Sequence, residues 1–324
     1  MLKIYKILLC ITVFFTVTNG FAKRYVFDKK KIGGNFKLIF YAPENFNAKK
    51  VSNLAYLLVD SLNIELSNYI KTSDIEKLNA NGALKNPSVY LLEVLKHSQT
   101  AYDTTEGYFD ISMKPLMKLW DKAEKSGRLP KKCRLRKVKK TIGLHDVFSI
   151  QENSNLSLKK HSALDIGGIA KGYIIDKVYE LLKTHKVPAF LIEAAGDIRV
   201  FGKPEGHEKW MVGVSSNTNS TINVTLNSGQ AIATSGKTYR YRVIKEKKYS
   251  HIINPKTLTP VTHNITASVV SNSATEADYL ASTFNIVEDQ SQREIILNKH
   301  KNAELLLLNN KEVLYSSNKF PISN

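Results

Sequence analysis

The sequence predicts an α+β fold, with a mixed, largely antiparallel sheet as its core and helices packed on it. Three observations lead there. Segments with helical spacing of apolar residues alternate with strand-like segments along the chain, the strands of the C-terminal half are mostly joined by short turns, and neither an internal repeat nor a low-complexity linker interrupts the pattern. Such a chain folds as one interlocked unit or as two lobes.

Tyr25 to Tyr41 reads as strand around a break at Gly33-Gly34, and Val51, Leu54, Ala55, Leu58 and Leu62 then mark one apolar helix face. Asn86-Pro87 supplies a cap and first turn for a second helix carrying Val89, Leu92 and Leu95. Gly107-Tyr-Phe-Asp110 interrupts before Met113 to Trp120. Phe148 to Ile150 and Leu156 to Leu158 read as strands, after which Gly167-Gly168 turns into a helix with Ile174, Ile175, Val178, Leu181 and Leu182 inward. Ala189 to Ile192, Trp210 to Val214, Thr221 to Leu226, Tyr239 to Ile244 and Ile265 to Val270 read as strands. Ser273-Ala-Thr-Glu276 has the form of a capping box and starts a helix running through Asp278 and Ser282 toward Phe284.

Residues 1–22 read as a secretory signal peptide, because Lys3 and Lys6 precede an apolar run, Ile7 to Val17, shorter than the roughly 20 residues of a membrane span. Cys10 follows the bulky Leu9, which argues against a lipid anchor. The mature chain, residues 23–324, is therefore expected as an exported, periplasmic or otherwise extracytoplasmic soluble protein. It keeps one cysteine, Cys133, so it can form no internal disulfide. The net charge of +18 favours anionic ligands. Its one dense basic run, Lys131 to Lys140, reads as the solvated face of a helix with Leu135 and Val138 inward, and with an export signal present no nucleic-acid partner is expected.

Four stretches have chemistry to offer. The run Asp165-Ile-Gly-Gly-Ile-Ala-Lys-Gly172 ends a strand and opens a helix, which suits either an ordinary turn or a phosphate cradle to which Lys171 adds charge. Glu193-Ala-Ala-Gly-Asp-Ile-Arg199 is a tight turn or a close approach to a flat ligand. Ala233-Thr-Ser-Gly236 is followed by Tyr249-Ser-His-Ile-Ile-Asn-Pro255, whose His251 is a structural residue or a base. Asp278 and Ser282, one helical turn apart and expected near solvent, are surface decoration or two oxygen ligands suited to Mg²⁺.

Together, in this order, these stretches resemble the FAD:protein FMN transferase family, commonly called ApbE, whose pattern reads Asp-x-Gly-Gly-x-Ala-Lys-Gly, small-Gly-Asp-Ile, Ala-Thr-Ser-Gly, Tyr-Ser-His-Ile-Ile-Asp-Pro and Ala-Asp-x-x-x-Thr. Upstream, Leu66-Ser-Asn-Tyr69, Ser73, Leu78-Asn79 and Gly107 to Asp110 resemble its flavin-contacting half. The resemblance implies FAD as substrate, lying in a cleft between two lobes of an ApbE or T-fold-like sheet. Tyr69, Tyr108, Phe109, Asp110, Asp165, Lys171 and Ile253 would line that site, and Gly168, Asp278 and Ser282 would hold Mg²⁺. It further implies transfer of FMN to a Ser or Thr hydroxyl with release of AMP, His251 as base and Asp278 as the second catalytic residue. The acceptor would carry an Asp-x-x-Thr-type motif on a membrane-associated redox subunit. Hydrolysis of FAD to FMN and AMP, or FAD binding without chemistry, would use the same residues. The chain departs from the family at Asn254 for Asp, Leu258 and Ala195 for Gly, Ile32-Gly-Gly34 for Met-Gly-Thr, and Ser282 for Thr.

Overall fold

The structure is a computed structural model that describes residues 22–215, 221–236, 241–309 and 312–323. The signal-peptide reading falls on residues 1–22 and so lies almost wholly outside the described residues, as do Tyr239 and Arg240 of one expected strand.

An eight-stranded sheet forms the core. Its strands are β1 (Lys23–Lys31), β2 (Gly34–Ala42), β3 (Ala189–Ala194), β4 (Asp197–Phe201), β5 (Ala231–Gly236), β6 (Ile265–Ser271), β7 (Glu304–Asn309) and β8 (Glu312–Ser316). They lie side by side in chain order, each antiparallel to the next, with every helix and extra hairpin inserted between two of them. No parallel pair occurs in this sheet among the described residues.

Both faces of the sheet are covered, which explains the continuous apolar run of β7. Leu305 and Leu307 face one side and Leu306 and Leu308 the other, and all four are buried. On the first side, Phe36, Leu38 and Phe40 of β2 meet helices α1 (Ala48–Leu66), α2 (Asp74–Asn81), α3 (Val89–Thr104), α6 (Ala170–Thr184) and α7 (Ala274–Ile286). The second side is closed by the hairpin Trp210–Ser215 and Thr221–Leu226 with Phe320. A third cluster lies apart from the sheet. There Trp120 of α4 (Lys114–Ser126) packs with Ile244, Ile253 and Leu258, and Leu135 and Val138 of α5 (Lys132–Lys139) complete it. Those two residues are indeed the inward pair of an otherwise exposed basic helix.

Several local expectations need correction. Ser88, not Asn86, caps α3, its side chain accepting from the amide of Leu91, and Val89 is exposed. The capping box of α7 is half made: Ser273 accepts from the Glu276 amide, but the Glu276 carboxylate turns away to Ser271 and His300. Helix α2, the last helix α8 (Gln290–Lys299) and strands β4, β5, β7 and β8 have no counterpart in the sequence pattern read above.

Candidate functional site

The site is built where α6 meets α7. Gly172 lies in the first turn of α6, and a Cβ there would stand 2.3 Å from the carbonyl oxygen of Ala274, so only glycine allows the two helices to approach this closely. At that crossing each helix lends the other a carboxylate. Asp278 of α7 accepts from the amide of Gly172 at 3.0 Å, and Asp176 of α6 accepts from the amides of Ala274 at 2.8 Å and Thr275 at 2.9 Å. Negative charge therefore sits at both helix N-termini, where the aligned backbone dipoles favour it. Asp176 also accepts from Ser273, Thr275 and Arg199, which locks the pair to β4.

Asp278 is 7% exposed, so the expectation of a carboxylate near solvent is wrong: it faces the α6 crossing and not the surface. Burial pushes its carboxyl up to about 7, while Lys171 opposes that rise and Asp197 adds to it. Lys171 reaches Asp197 of β4, Nζ to carboxylate 2.7 Å. Asp197 is 2% exposed, and burial raises its carboxyl against the pull of Lys171 and of a hydrogen bond from the Thr234 backbone. Four stretches separated in sequence thus meet here: the glycine turn through Lys171 and Gly172, the Gly196-Asp197 turn, Ala233 to Gly236 through Thr234, and α7 through Asp278.

The chain entering α6 is held from below by two asparagines. Asn79 accepts from the Leu164 amide at 2.6 Å and Asn68 from the Ile166 amide at 2.9 Å, and both donate to the Leu164 carbonyl. Glu76 orients both, accepting from Asn68 at 2.9 Å, from Asn79 at 3.0 Å and from Lys114. Its carboxyl is pulled below the ordinary range because these donors outweigh the cost of burial, the largest single influence. Asp165 accepts from the Gly167 amide at 2.9 Å, and Ile169, which precedes α6, offers no side-chain cap of its own.

Gly168 lies against Phe109 and Ser282. A Cβ on it would stand 3.2 Å from the Phe109 ring and 3.9 Å from Ser282 Oγ. Gly168 and Ser282 are therefore neighbours, and with Asp278 one turn earlier on α7 they comprise a carbonyl, a carboxylate and a hydroxyl, an all-oxygen set of the type a hard divalent cation such as Mg²⁺ takes. A buried carboxylate whose charge is under-compensated points the same way. Thr283, the neighbouring hydroxyl, is turned inward and donates to the Tyr279 carbonyl at 2.8 Å.

The remaining expected residues are distributed around this centre. Tyr108 is half-buried beside Ile252, Val261 and Ile286, so the segment bearing the half-buried His251 crosses α7 one turn beyond Ser282. Tyr69 is 85% exposed, an unusual place for a large ring. Asp110 spends its carboxylate locally, accepting from the Ser112 amide and hydroxyl and from the Gly143 amide. Ile253 is buried in the Trp120 cluster. Asn254 makes a turn, its side-chain oxygen accepting from the Lys256 amide at 2.8 Å as an aspartate there would. Ala195 and Leu258, standing for glycines, take positive φ of 48° and 62°.

With this geometry in place, comparison with known proteins is informative. A sequence profile described as the ApbE family matches residues 33–307. The chain is 23% identical over 251 residues to the FAD:protein FMN transferase of Haemophilus influenzae, covering 74% of this chain and 72% of that one. It is 28% identical over 265 residues to the protein of the same name from Chlamydia pneumoniae, covering 77% and 82%. Its fold matches the ApbE protein of Thermotoga maritima with a TM-score of 0.82 at 22% identity, over 91% of this chain and 97% of that one. The apo flavinyl transferase ApbE of Pseudomonas stutzeri matches with a TM-score of 0.79 at 20% identity, over 92% and 96%.

Proposed function

This chain belongs to the ApbE family, and on that premise we propose that it is an FAD:protein FMN transferase, which moves FMN from FAD to a serine or threonine hydroxyl of another protein and releases AMP. The observation that supports the site is the meeting of Lys171, Asp197 and Asp278 at the start of α6. A pyrophosphate needs positive charge, and Lys171 brings it to this helix start, where the Asp278 carboxylate already takes the Gly172 amide.

In this reading FAD lies between the α6–α7 pair and the segment from Ser250 to Ile253. Its rings meet Tyr69, Tyr108 and Phe109, with Asp110, Asp165 and Ile253 completing the walls. The exposed ring of Tyr69 gives a flat ligand something to stack on. Lys171 shares the charge of the phosphates while Asp197 keeps its amine in place. Bound by the Gly168 carbonyl, Asp278 and Ser282, Mg²⁺ would supply positive charge against the pyrophosphate as negative charge gathers on the leaving group. The acceptor hydroxyl oxygen attacks the phosphorus on the FMN side, the anhydride bond breaks, and its electron pair leaves with AMP. His251 takes the hydroxyl proton. The acceptor carries an Asp-x-x-Thr-type motif on a membrane-associated redox subunit, and the chain works outside the cytoplasm after residues 1–22 are removed.

The test is to incubate residues 23–324 with FAD, Mg²⁺ and an acceptor protein, following AMP release and flavin fluorescence of the acceptor in a denaturing gel. Both signals are expected, and both should vanish without Mg²⁺. AMP without a fluorescent acceptor would replace transfer with hydrolysis, and neither signal would reduce the protein to an FAD binder.

A further inference from the structure

The stretch from Lys118 to Lys140 carries eleven lysines and arginines against two carboxylates. All eleven are exposed. Lys118, Lys122 and Lys125 form one stripe along α4, while on α5 Lys132, Arg136 and Lys139 form an exposed stripe flanking its half-buried edge at Leu135 and Val138. Only two acids oppose this charge. Asp121 is paired with Arg242 of the neighbouring hairpin at 2.7 Å, and Glu124 accepts from the Val243 amide at 2.9 Å. That hairpin adds exposed Lys245, Lys247 and Lys248 beside the single Glu246. Among the described residues, none of the eleven enters an ion pair.

Between α4 and α5 the charge is interrupted by one apolar side chain, Leu129, which is 48% exposed. Its turn is held, since Gly127 ends α4 at φ 60° and the Arg128 amide donates to the Ala123 carbonyl at 3.1 Å. We infer that this face docks the protein onto an anionic lipid surface, with Leu129 entering the headgroup layer and the surrounding cations reading its charge. The distribution favours lipid over an acidic protein. The charges are mostly lysines, compact points without the planar fork that grips individual carboxylates, and they are spread along both α4 and α5. A smeared anionic plane needs no pocket, and an exposed leucine inside a basic ring gains only where there is an apolar layer to enter.

The inference does not rest on the transfer reaction, and its test is independent of activity. Residues 23–324 are to be co-sedimented with vesicles of phosphatidylglycerol and phosphatidylcholine, and separately with phosphatidylcholine alone. Binding is expected to the first only and should weaken as salt rises. The triple variant Lys132→Gln, Arg136→Gln, Lys139→Gln should bind roughly one hundred-fold more weakly, about five-fold per charge removed, with an unchanged melting temperature because all three side chains are exposed. Leu129→Ser should weaken binding at any salt. Equal binding to both vesicle types, no binding to anionic vesicles at low salt, or full retention by the triple variant would overturn the inference. So would capture by an immobilised acidic polypeptide with no binding to vesicles.

Discussion

Lys171 and Asp197 form an ion pair of 2.7 Å in which the carboxylate is almost wholly buried while the amine keeps partial access to solvent. Breaking such a pair from one side leaves a charge without its partner. Lys171→Met, which leaves the buried Asp197 carboxylate without its counter-charge, should therefore destabilise the fold by roughly 3 kcal/mol in urea unfolding, and Asp197→Asn combined with it should cost less than the two single changes added together. Strictly additive costs would mean that the pair contributes nothing as a pair.

The acid–base behaviour of Asp278 gives a second forecast. Its carboxyl titrates near an ordinary value of about 4 when unfolded and near 7 when folded. Between those values the native state holds a proton that the unfolded chain has released, so stability is greatest at low pH and falls as pH rises through this window. Asp197, raised in the same direction, deepens the fall. Stability without metal should fall across it by an amount on the order of a few kcal/mol, and melting temperatures should decline with it. Mg²⁺ should restore them above pH 7 and do little near pH 4. Asp278→Asn should flatten the slope and remove the Mg²⁺ response; an unchanged response would dismiss the metal ligand.

His251 separates a chemical from a structural role. As the base, His251→Ala should retain FAD in equilibrium dialysis and slow transfer by about two to four orders of magnitude. A variant with a lowered melting temperature and weakened flavin binding would assign the residue to the fold instead, and a wild-type rate would end the base role.

Two small residues make a fourth test. A Cβ on Gly34 would stand 2.9 Å from the Cβ of Ala195, which itself holds φ 48°. Gly34→Ala should cost about 1–3 kcal/mol, as overpacking does. Ala195→Gly relieves the strained φ but loosens the unfolded chain, so on its own it should be close to neutral. Made together, the two should recover most of the loss, and thermal melts of the four proteins would show whether they do.

Much of the fold was legible because its signals are local. The apolar period of α1 and α6 and the strands around Gly33-Gly34 follow directly from spacing. What escaped is long-range. Asp176 reads as an ordinary solvent-facing residue of an amphipathic helix, and only the crossing brings the N-terminus of α7 onto it. Glu76 likewise gains its meaning from Asn68, Asn79 and Lys114, whose convergence no periodicity encodes. Asp197 was visible as part of a tight turn, yet its burial and its lysine belong to the sheet. The placement of Asp278 was misread for a related reason, since an i,i+4 pair says which face two residues share and nothing about what covers that face.

The mutual capping of α6 and α7 also changes what governs ligand capture. A carboxylate on a loop samples several rotamers and loses that freedom when it seizes a cation. Asp278 has surrendered it during folding, because the Gly172 amide fixes one oxygen and the helix crossing fixes the backbone beneath it. For the proposed metal site, the entropy cost would thus be moved out of the binding step, and what would remain to be overcome there is the removal of a proton from a buried acid. Selectivity at such a position follows charge density before shape: a doubly charged ion can displace that proton near neutrality far more readily than a monovalent ion of similar radius.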